Sequence, residues 1–436
     1  MLAALLGACS SPPSPTDAGA DAGPQDAGSD ALVVRDAGPP RDAAPRRDAG
    51  PPPDAGPAPD DDPRAIDRAR CMFTAGARVA DTLPDVSAAR AAITHVIVVM
   101  QENRSFDHMF GTLGHGTEGF PSGYALPDAR GNPIAAWHES PTCGPDVPHG
   151  WAAMHTGWDE GFMDGWARSG GRNAMGYLTD DDHPFYTWMA TTFATSDAYF
   201  ASVLGPTHPN RAYLYGGTSN GIRESYAGYP SGPFVFDELE AAGVAWAEFN
   251  ASPIEAFSGT LPTTFRNIRP YTEFLPSLAD GSMPAVSFVD LEPNDEHPPG
   301  SVHDGEFAMH PLLQAAFASP LWPHLAIFFT YDEGGGYFDH VRPPAACLAS
   351  PSEAAFDTLG ARVPLVVISP YARAGHVSHR VHSHTSILRF IEVVHDLPAI
   401  TGRDANSDAL LDLFDFTSPA FATPPVTVPA PGARDC

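Results

Sequence analysis

The sequence predicts an α/β fold with a mainly parallel central sheet, helices on both faces and a long irregular insertion. Three observations predict it. First, four apolar runs of strand length occupy residues 95–100, 285–289, 325–330 and 363–369, each short and rich in β-branched or aromatic residues. Second, helix-like stretches fall between or after them, at 234–242, 307–318 and 385–394. In the last, Ile387, Leu388, Ile391 and Val394 recur at helical spacing. Alternating strands and helices favour a sheet with helices packed on both sides. Third, residues 111–190 are rich in Gly, Trp, His and Asp and show little periodicity. They read as a long insertion over the site, and such insertions are often functional.

Ahead of this domain, MLAALLGAC at residues 1–9 is a short apolar run ending in Leu6-Gly7-Ala8-Cys9. It resembles a bacterial lipobox, in which the cysteine receives lipid, although the usual basic stretch is missing. The expectation is an exported protein, either a bacterial cell-envelope lipoprotein tethered to the membrane through Cys9 or a secreted one. Residues 10–64 are almost entirely Ala, Pro, Asp, Gly, Ser and Arg, with Asp at 30, 36, 42, 48, 54 and 60. Such a segment has too little apolar surface to offset its ordering entropy. It is expected to be a disordered tether, extended by its prolines and like charges. A calcium-binding repeat is the alternative, but the Gly-rich turn of a calcium β-roll is absent. Residues 65–436 are then the folded domain. No later stretch reaches the ~18 apolar residues of a spanning helix.

The formal net charge is −29, and all 24 basic residues are Arg. The tether holds eleven Asp and five Arg, which leaves −23 on the body. That balance argues against nucleic acid or anionic membrane surfaces as partners. An anionic phosphate substrate would meet long-range repulsion, which local cations must overcome. Leaving Cys9 aside, Cys71, Cys143, Cys347 and Cys436 suit up to two disulfides in an oxidising compartment. Three pairings are open, and the spacing fits no zinc site.

The chemistry gathers where strands end. Residues 95–110, HVIVVMQENRSFDHMF, run from an apolar strand into a cluster with Glu102, Asn103, Arg104, Asp107 and His108. Ligands of open α/β sheets collect outside the carboxyl ends of strands. The run at 325–330 ends similarly in Asp332-Glu333, followed by Gly334, Gly335 and Gly336, which permit a tight turn. Three carboxylates converging without a cation would repel, and a hard divalent ion with oxygen ligands resolves this. The plainer reading of either pair alone is turn residues and helix caps.

Thr207 stands in Gly205-Pro206-Thr207-His208-Pro209-Asn210-Arg211, just before an apparent helix. A hydroxyl there meets free N–H groups and a positive dipole end, a setting for phosphate. From spacing alone Thr207 reads better as an N-cap, and Ser202 is a weaker rival as nucleophile. Arg104 could bind phosphate or pair with Asp107, and the pair is favoured because a buried Arg usually has an acidic partner. Trp137, Trp151, Trp158, Trp166 and Trp188, with Tyr177 and Tyr186, could wall a site for a quaternary ammonium such as choline. Loop packing accounts for them better on composition.

Five blocks in order carry a resemblance to a known family. They are ENRSFDH at 102–108, LGPTHPNR at 204–211, DLEPNDEHPPGSVH at 290–303, TYDEGGGYFDHV at 330–341 and HSHTSILRFIE at 382–392. Together they resemble the phosphoesterase family of bacterial and plant non-specific phospholipases C and certain bacterial acid phosphatases, within the alkaline-phosphatase-like superfamily. Five matches in order are far less easily coincidental than one.

The resemblance implies an alkaline-phosphatase-like fold and a metal-dependent phosphoesterase. It implies that Glu102, Asn103, Asp332 and Glu333 hold one divalent metal, calcium or zinc, with Thr207 as a further ligand and the nucleophile. Thr at this position is the version similar to the phospholipases C. His149, in Asp146-Val147-Pro148-His149, resembles the family's D-x-x-H element. With His297, His340 and His384 in their blocks, it is implied to grip phosphate or protonate a leaving alkoxide. The implied reaction is phospholipase C-like hydrolysis of phosphodiesters such as phosphatidylcholine through a phosphothreonine, on a phospholipid or another small phosphate ester. One alternative is an acid phosphatase acting on monoesters; against it, residues 225–290 contain no adjacent His-His pair. Another is a non-catalytic surface binding protein, against which stand the intact Glu102, Asn103, Thr207, Asp332 and Glu333.

Overall fold

The computed structural model describes residues 62–225, 232–250, 267–291, 296–434 and 436. Segment 1–9 and residues 10–61 of the expected tether lie outside the described residues, as do 292–295 of the NDEHP block. The last residues assigned to the tether pack on the body: Arg68 donates to Asp62, and Arg64 donates to the carbonyl of Leu83.

Eight strands form the central sheet: β1 His95–Gln101, β2 Ala194–Ser196, β3 Trp246–Asn250, β4 Ile268–Pro270, β5 Val286–Val289, β6 Leu325–Tyr331, β7 Leu365–Ile368 and β8 Val377–Ser378. Their spatial order is β8-β2-β7-β6-β1-β5-β3-β4. Five of the seven neighbouring pairs are parallel, and β7 runs antiparallel to both β6 and β2. The expected mainly parallel sheet is therefore present, and the four expected strands are its β1, β5, β6 and β7. The others carry weak local signals. Ala194–Ser196 becomes a strand because β7 and β8 pair with it, and Trp246–Asn250 places Glu248 and Asn250 inside.

Every residue of β6 is buried, and every residue of β1 after His95. Side chains alternate along a strand, so both faces of the sheet are covered. One set of helices joins His384–His395 with Thr207–Gly216 and Ser87–Ala92. Another joins Val302–Ala318 with Tyr271–Asp280 and Pro184–Thr192. The helix expected at 307–318 begins at Val302, where the Ser301 hydroxyl caps it by accepting from the His303 amide.

The insertion is more regular than its composition suggests. It holds helices Trp151–Trp158, Trp166–Gly170 and Pro184–Thr192, and a small hairpin of Ala125–Pro127 with Pro133–Ala135. Its apolar residues Leu126, Val147, Met154, Trp166 and Met175 form a second core with Tyr337 and Phe338, just beyond the triple-glycine turn. Two disulfides form, Cys71–Cys347 and Cys143–Cys436, which resolves the open pairing.

Candidate active site

Sheet register brings the two acidic pairs together. Gln101 and Tyr331 are partners at the carboxyl ends of β1 and β6. Glu102-Asn103 and Asp332-Glu333 therefore leave the sheet side by side, and the Asp332 amide donates to the Gln101 carbonyl at 3.0 Å. Asn103, Asp332 and Glu333 are fully buried. Asp332 Oδ1 accepts from the Glu333 amide and Glu333 Oε2 from the Gly335 amide, each at 2.7 Å. Gly335 has φ +63°, and a Cβ there would stand 2.2 Å from the Asn103 carbonyl oxygen, so this turn requires glycine.

The Thr207–Gly216 helix supplies the hydroxyl. Pro206 is the N-cap and no side chain caps the helix, so Thr207 is the first helical residue rather than the cap. Its side chain stands beside Asp332, whose carboxyl it holds down against the pull of burial. Arg211, one turn on and on the same face, donates to Glu102 Oε1 at 2.7 Å and lies 4.0 Å from Asp290. Sequence reasoning gave Arg211 no role, although its spacing from Thr207 was a readable signal. Ser202 is fully buried with a hydroxyl that meets no partner, which removes it as a nucleophile open to substrate.

The electrostatics suit a divalent cation. Burial pushes the Asp332 carboxyl well above the usual range; Glu102 and Glu333 push it further, and Arg211 opposes them. Burial also raises Glu333, against its hydrogen bond from Gly335. Glu333 Oε1 is buried without a hydrogen-bond partner. The Asn103 carboxamide sets one heavy atom 2.7 and 3.2 Å from the two Asp332 oxygens and the other 3.1 Å from His297 Nε2. Two assignments satisfy this geometry: nitrogen toward Asp332, or oxygen toward Asp332 with a cation between the acceptors. The second matches an all-oxygen donor set for a hard divalent ion. The residues present thus fit a metal.

The four expected histidines fall into three places. His149 Nε2 lies 3.8 Å from Glu333 Oε1, and its ring is 5.5 Å from that of His297. Asp146, His149 and His297 present ligand atoms within 4.8 Å of one another. His149 Nδ1 is tied to the Val147 carbonyl at 2.6 Å and His297 Nδ1 to the Pro298 carbonyl at 2.8 Å, which leaves each Nε2 directed to the site. His384 lies behind it, fully buried, with Nε2 2.6 Å from the Asp332 carbonyl and Nδ1 2.9 Å from the Tyr199 hydroxyl. Burial brings it down to about 4, so it is neutral and holds the Asp332 backbone rather than reaching phosphate. His340 belongs to another cluster, where its Nδ1 meets Asp107 at 2.6 Å and Arg362 at 3.3 Å.

Two further expectations are corrected. Arg104 does not pair with Asp107. Its Nη2 donates to the carbonyls of Glu296 and Gly300 at 3.0 and 2.9 Å, and its Nη1 to the Tyr337 hydroxyl at 3.2 Å. Asp107 turns the other way, toward Arg362 and His340. Nor do the aromatic residues form one wall. Trp166 is buried and donates to the Asp339 carbonyl, Trp188 packs on Phe185 and Phe193, and Trp137 stacks on Arg172. Tyr186 is buried as well. Trp151 and Trp158 do line a common cavity, with Phe356 and Arg223.

Comparison with known proteins identifies the family. The Phosphoesterase family matches residues 93–398. The chain belongs to that family. A non-hemolytic phospholipase C of Burkholderia pseudomallei is 30% identical over 76% of this chain and 60% of its own length. Phospholipase C B of Mycobacterium tuberculosis is 30% identical over 76% of this chain and 80% of its own. Non-specific phospholipase C3 of Arabidopsis thaliana is 27% identical over 82% of this chain and 80% of its own. The chain thus spans well under two thirds of the Burkholderia relative. No helix among the described residues is long and apolar enough to cross a membrane.

Proposed function

We propose that this chain is a metal-dependent phosphoesterase that hydrolyses phosphodiesters such as phosphatidylcholine, in the manner of a phospholipase C, through phosphate carried on Thr207. The observation that carries the reading is the Gln101–Tyr331 register, which delivers two acidic pairs to one place where the Thr207 hydroxyl meets Asp332. Glu102, Asn103, Asp332, Glu333 and Thr207 would hold the divalent ion, calcium or zinc, whose charge would lower the pKa of the threonine hydroxyl and oppose that of the phosphate.

The chain's own groups divide the remaining work. Thr207 Oγ1 bonds to phosphorus as the bond to the alcohol breaks in line. His149 and His297 bind the phosphoryl oxygens through Nε2 and, when protonated, supply a proton to the leaving alkoxide. Water then cleaves the phosphothreonine and restores the hydroxyl. Arg211 fixes Glu102, and His384 fixes Asp332 from behind. The names of the relatives and the threonine at the nucleophile position favour a diester over a monoester. We further read residues 65–436 as the catalytic domain of an exported protein, secreted or held to the envelope through Cys9, with 10–64 as its tether.

Parallel assays on phosphatidylcholine and a simple aryl phosphate test this, before and after exhaustive chelation. Phosphatidylcholine should be the better substrate, with activity lost on chelation and restored by added metal. Preference for the aryl phosphate would favour a monoesterase. Full activity in metal-free protein would sink the metal reading, and turnover of neither substrate would favour a binding protein.

A further inference from the structure

One buried carboxylate joins the parts of the site from behind. Glu296 is 1% exposed. Its Oε1 accepts from the Tyr186 hydroxyl and from Gln101 Nε2 at 3.0 Å, and its Oε2 from the Tyr331 hydroxyl at 2.6 Å. Its backbone carbonyl accepts from Arg104 Nη2 at 3.0 Å. Space is made for it: a Cβ on Gly305 would stand 1.7 Å from Glu296 Oε1.

The positions of these partners matter more than their number. Gln101 immediately precedes Glu102-Asn103, and Tyr331 immediately precedes Asp332-Glu333. The two are paired across β1 and β6. His297 follows Glu296 directly, and its Nε2 lies 3.1 Å from the Asn103 carboxamide. One side chain therefore ties down the residue before each acidic pair, and its own backbone continues into the residue that presents an imidazole to them.

We propose that Glu296 is a positioning residue that sets the relative placement of Glu102-Asn103, Asp332-Glu333 and His297, and thereby metal affinity and turnover, without touching substrate. This rests on the reading of those pairs as metal ligands. Partners behind a metal's ligands typically change affinity or activity 10–100-fold when removed. The groups facing Glu296 are the Tyr186 and Tyr331 hydroxyls, Gln101 and Arg104. Glu306, the next buried carboxylate, is held by the amides of Phe185 and Tyr186. Burial pushes Glu296 up to about 8, against its three hydrogen bonds and Arg104.

The test uses the full chain with Glu296→Ala, Glu296→Gln and Tyr331→Phe. Affinity for Zn²⁺ and for Ca²⁺ is read by titration calorimetry, and kcat and KM on phosphatidylcholine well below the unfolding temperature. Glu296→Ala should weaken metal binding and lower kcat about 10–100-fold with KM little changed. Glu296→Gln, whose amide still reaches the hydroxyls, should recover most of both. Tyr331→Phe should fall between them. Wild type should also lose stability as pH rises from about 4.5 to about 8, where burial forces an uncharged acid to ionise, and Glu296→Gln should lose less. Wild-type metal affinity and kcat in Glu296→Ala and Tyr331→Phe, with only thermal stability reduced, overturn the proposal. If Glu296→Ala does not fold, Tyr331→Phe matching wild type in both readouts overturns it. Failure of wild type to bind either ion overturns the ligand reading instead, and the kcat split still judges Glu296.

Discussion

Two buried acidic clusters lie close in sequence and differ in one respect. In the first, Glu102, Asp332 and Glu333 converge with Arg211, which answers Glu102 directly; Asp332 and Glu333 otherwise accept from backbone amides. In the second, Asp107 and Asp339 share Arg362, whose Nη2 meets Asp107 at 2.9 Å and whose Nε meets Asp339 at 3.0 Å. His340 completes it on Asp107. Against the pull of burial, Asp107 and Asp339 hold His340 above the ordinary imidazole range. Asp107, Asp339 and His340 also have metal-ligand spacing, yet a guanidinium already sits among them. The second cluster brings its own cation, and the first is the one proposed to take a metal.

That contrast can be broken most sharply at Thr207. Thr207→Ala should lower turnover by roughly three orders of magnitude or more, the scale seen when an essential catalytic group is removed. Stability should barely change, because no cap is lost. Thr207→Ser should keep substantial activity, and an acid quench with a slow substrate should trap phosphate on Thr207. Near-normal turnover in Thr207→Ala, or label on another residue, would mean direct attack by water.

The second cluster should respond in the opposite currency. Asp107→Ala leaves Arg362 buried beside a lost partner and should cost about 3–5 kcal/mol in denaturant unfolding. Its affinity for metal should stay near wild type. The sign with pH follows from the raised His340: its contribution is complete below about 6.5 and is lost as pH climbs through its higher folded value. Wild type should therefore shed stability over that rise, and Asp107→Ala should shed less. An unchanged midpoint with lost metal binding would exchange the roles given to the two clusters.

The smallest effect is expected from removing the tether. A chain starting at Ala65 should keep its kcat, since residues 10–64 are expected to be a tether and the described ones, 62–64, meet neither cluster. It forfeits the Arg68–Asp62 and Arg64–Leu83 contacts, so a slight fall in melting temperature is expected. A large loss of turnover would count against the tether.

Much of the site was legible because its residues sit in short, ordered strings. Glu102-Asn103 and Asp332-Glu333 each follow an apolar strand, and that local pattern was enough to place both pairs at strand ends. The Arg104–Asp107 pairing failed for the opposite reason. Two residues three apart, Arg104 in the turn and Asp107 in the short Phe106–Phe110 helix after it, are turned by their surroundings, here by the Glu296 and Gly300 carbonyls on one side and by Arg362 on the other. The aromatic wall failed likewise, since composition does not say which ring faces which.

The sequence by itself determined the α/β class, the four core strands and a helix close after Thr207, because apolar periodicity and turn residues act over a few positions. It could not decide which distant groups share a charge. His384 behind Asp332, Arg211 on Glu102 and Glu296 across Gln101 and Tyr331 depend on strand register and helix packing. Electrostatic and hydrogen-bonding energies depend on ångström distances between residues far apart in the chain, and only the folded structure sets those distances.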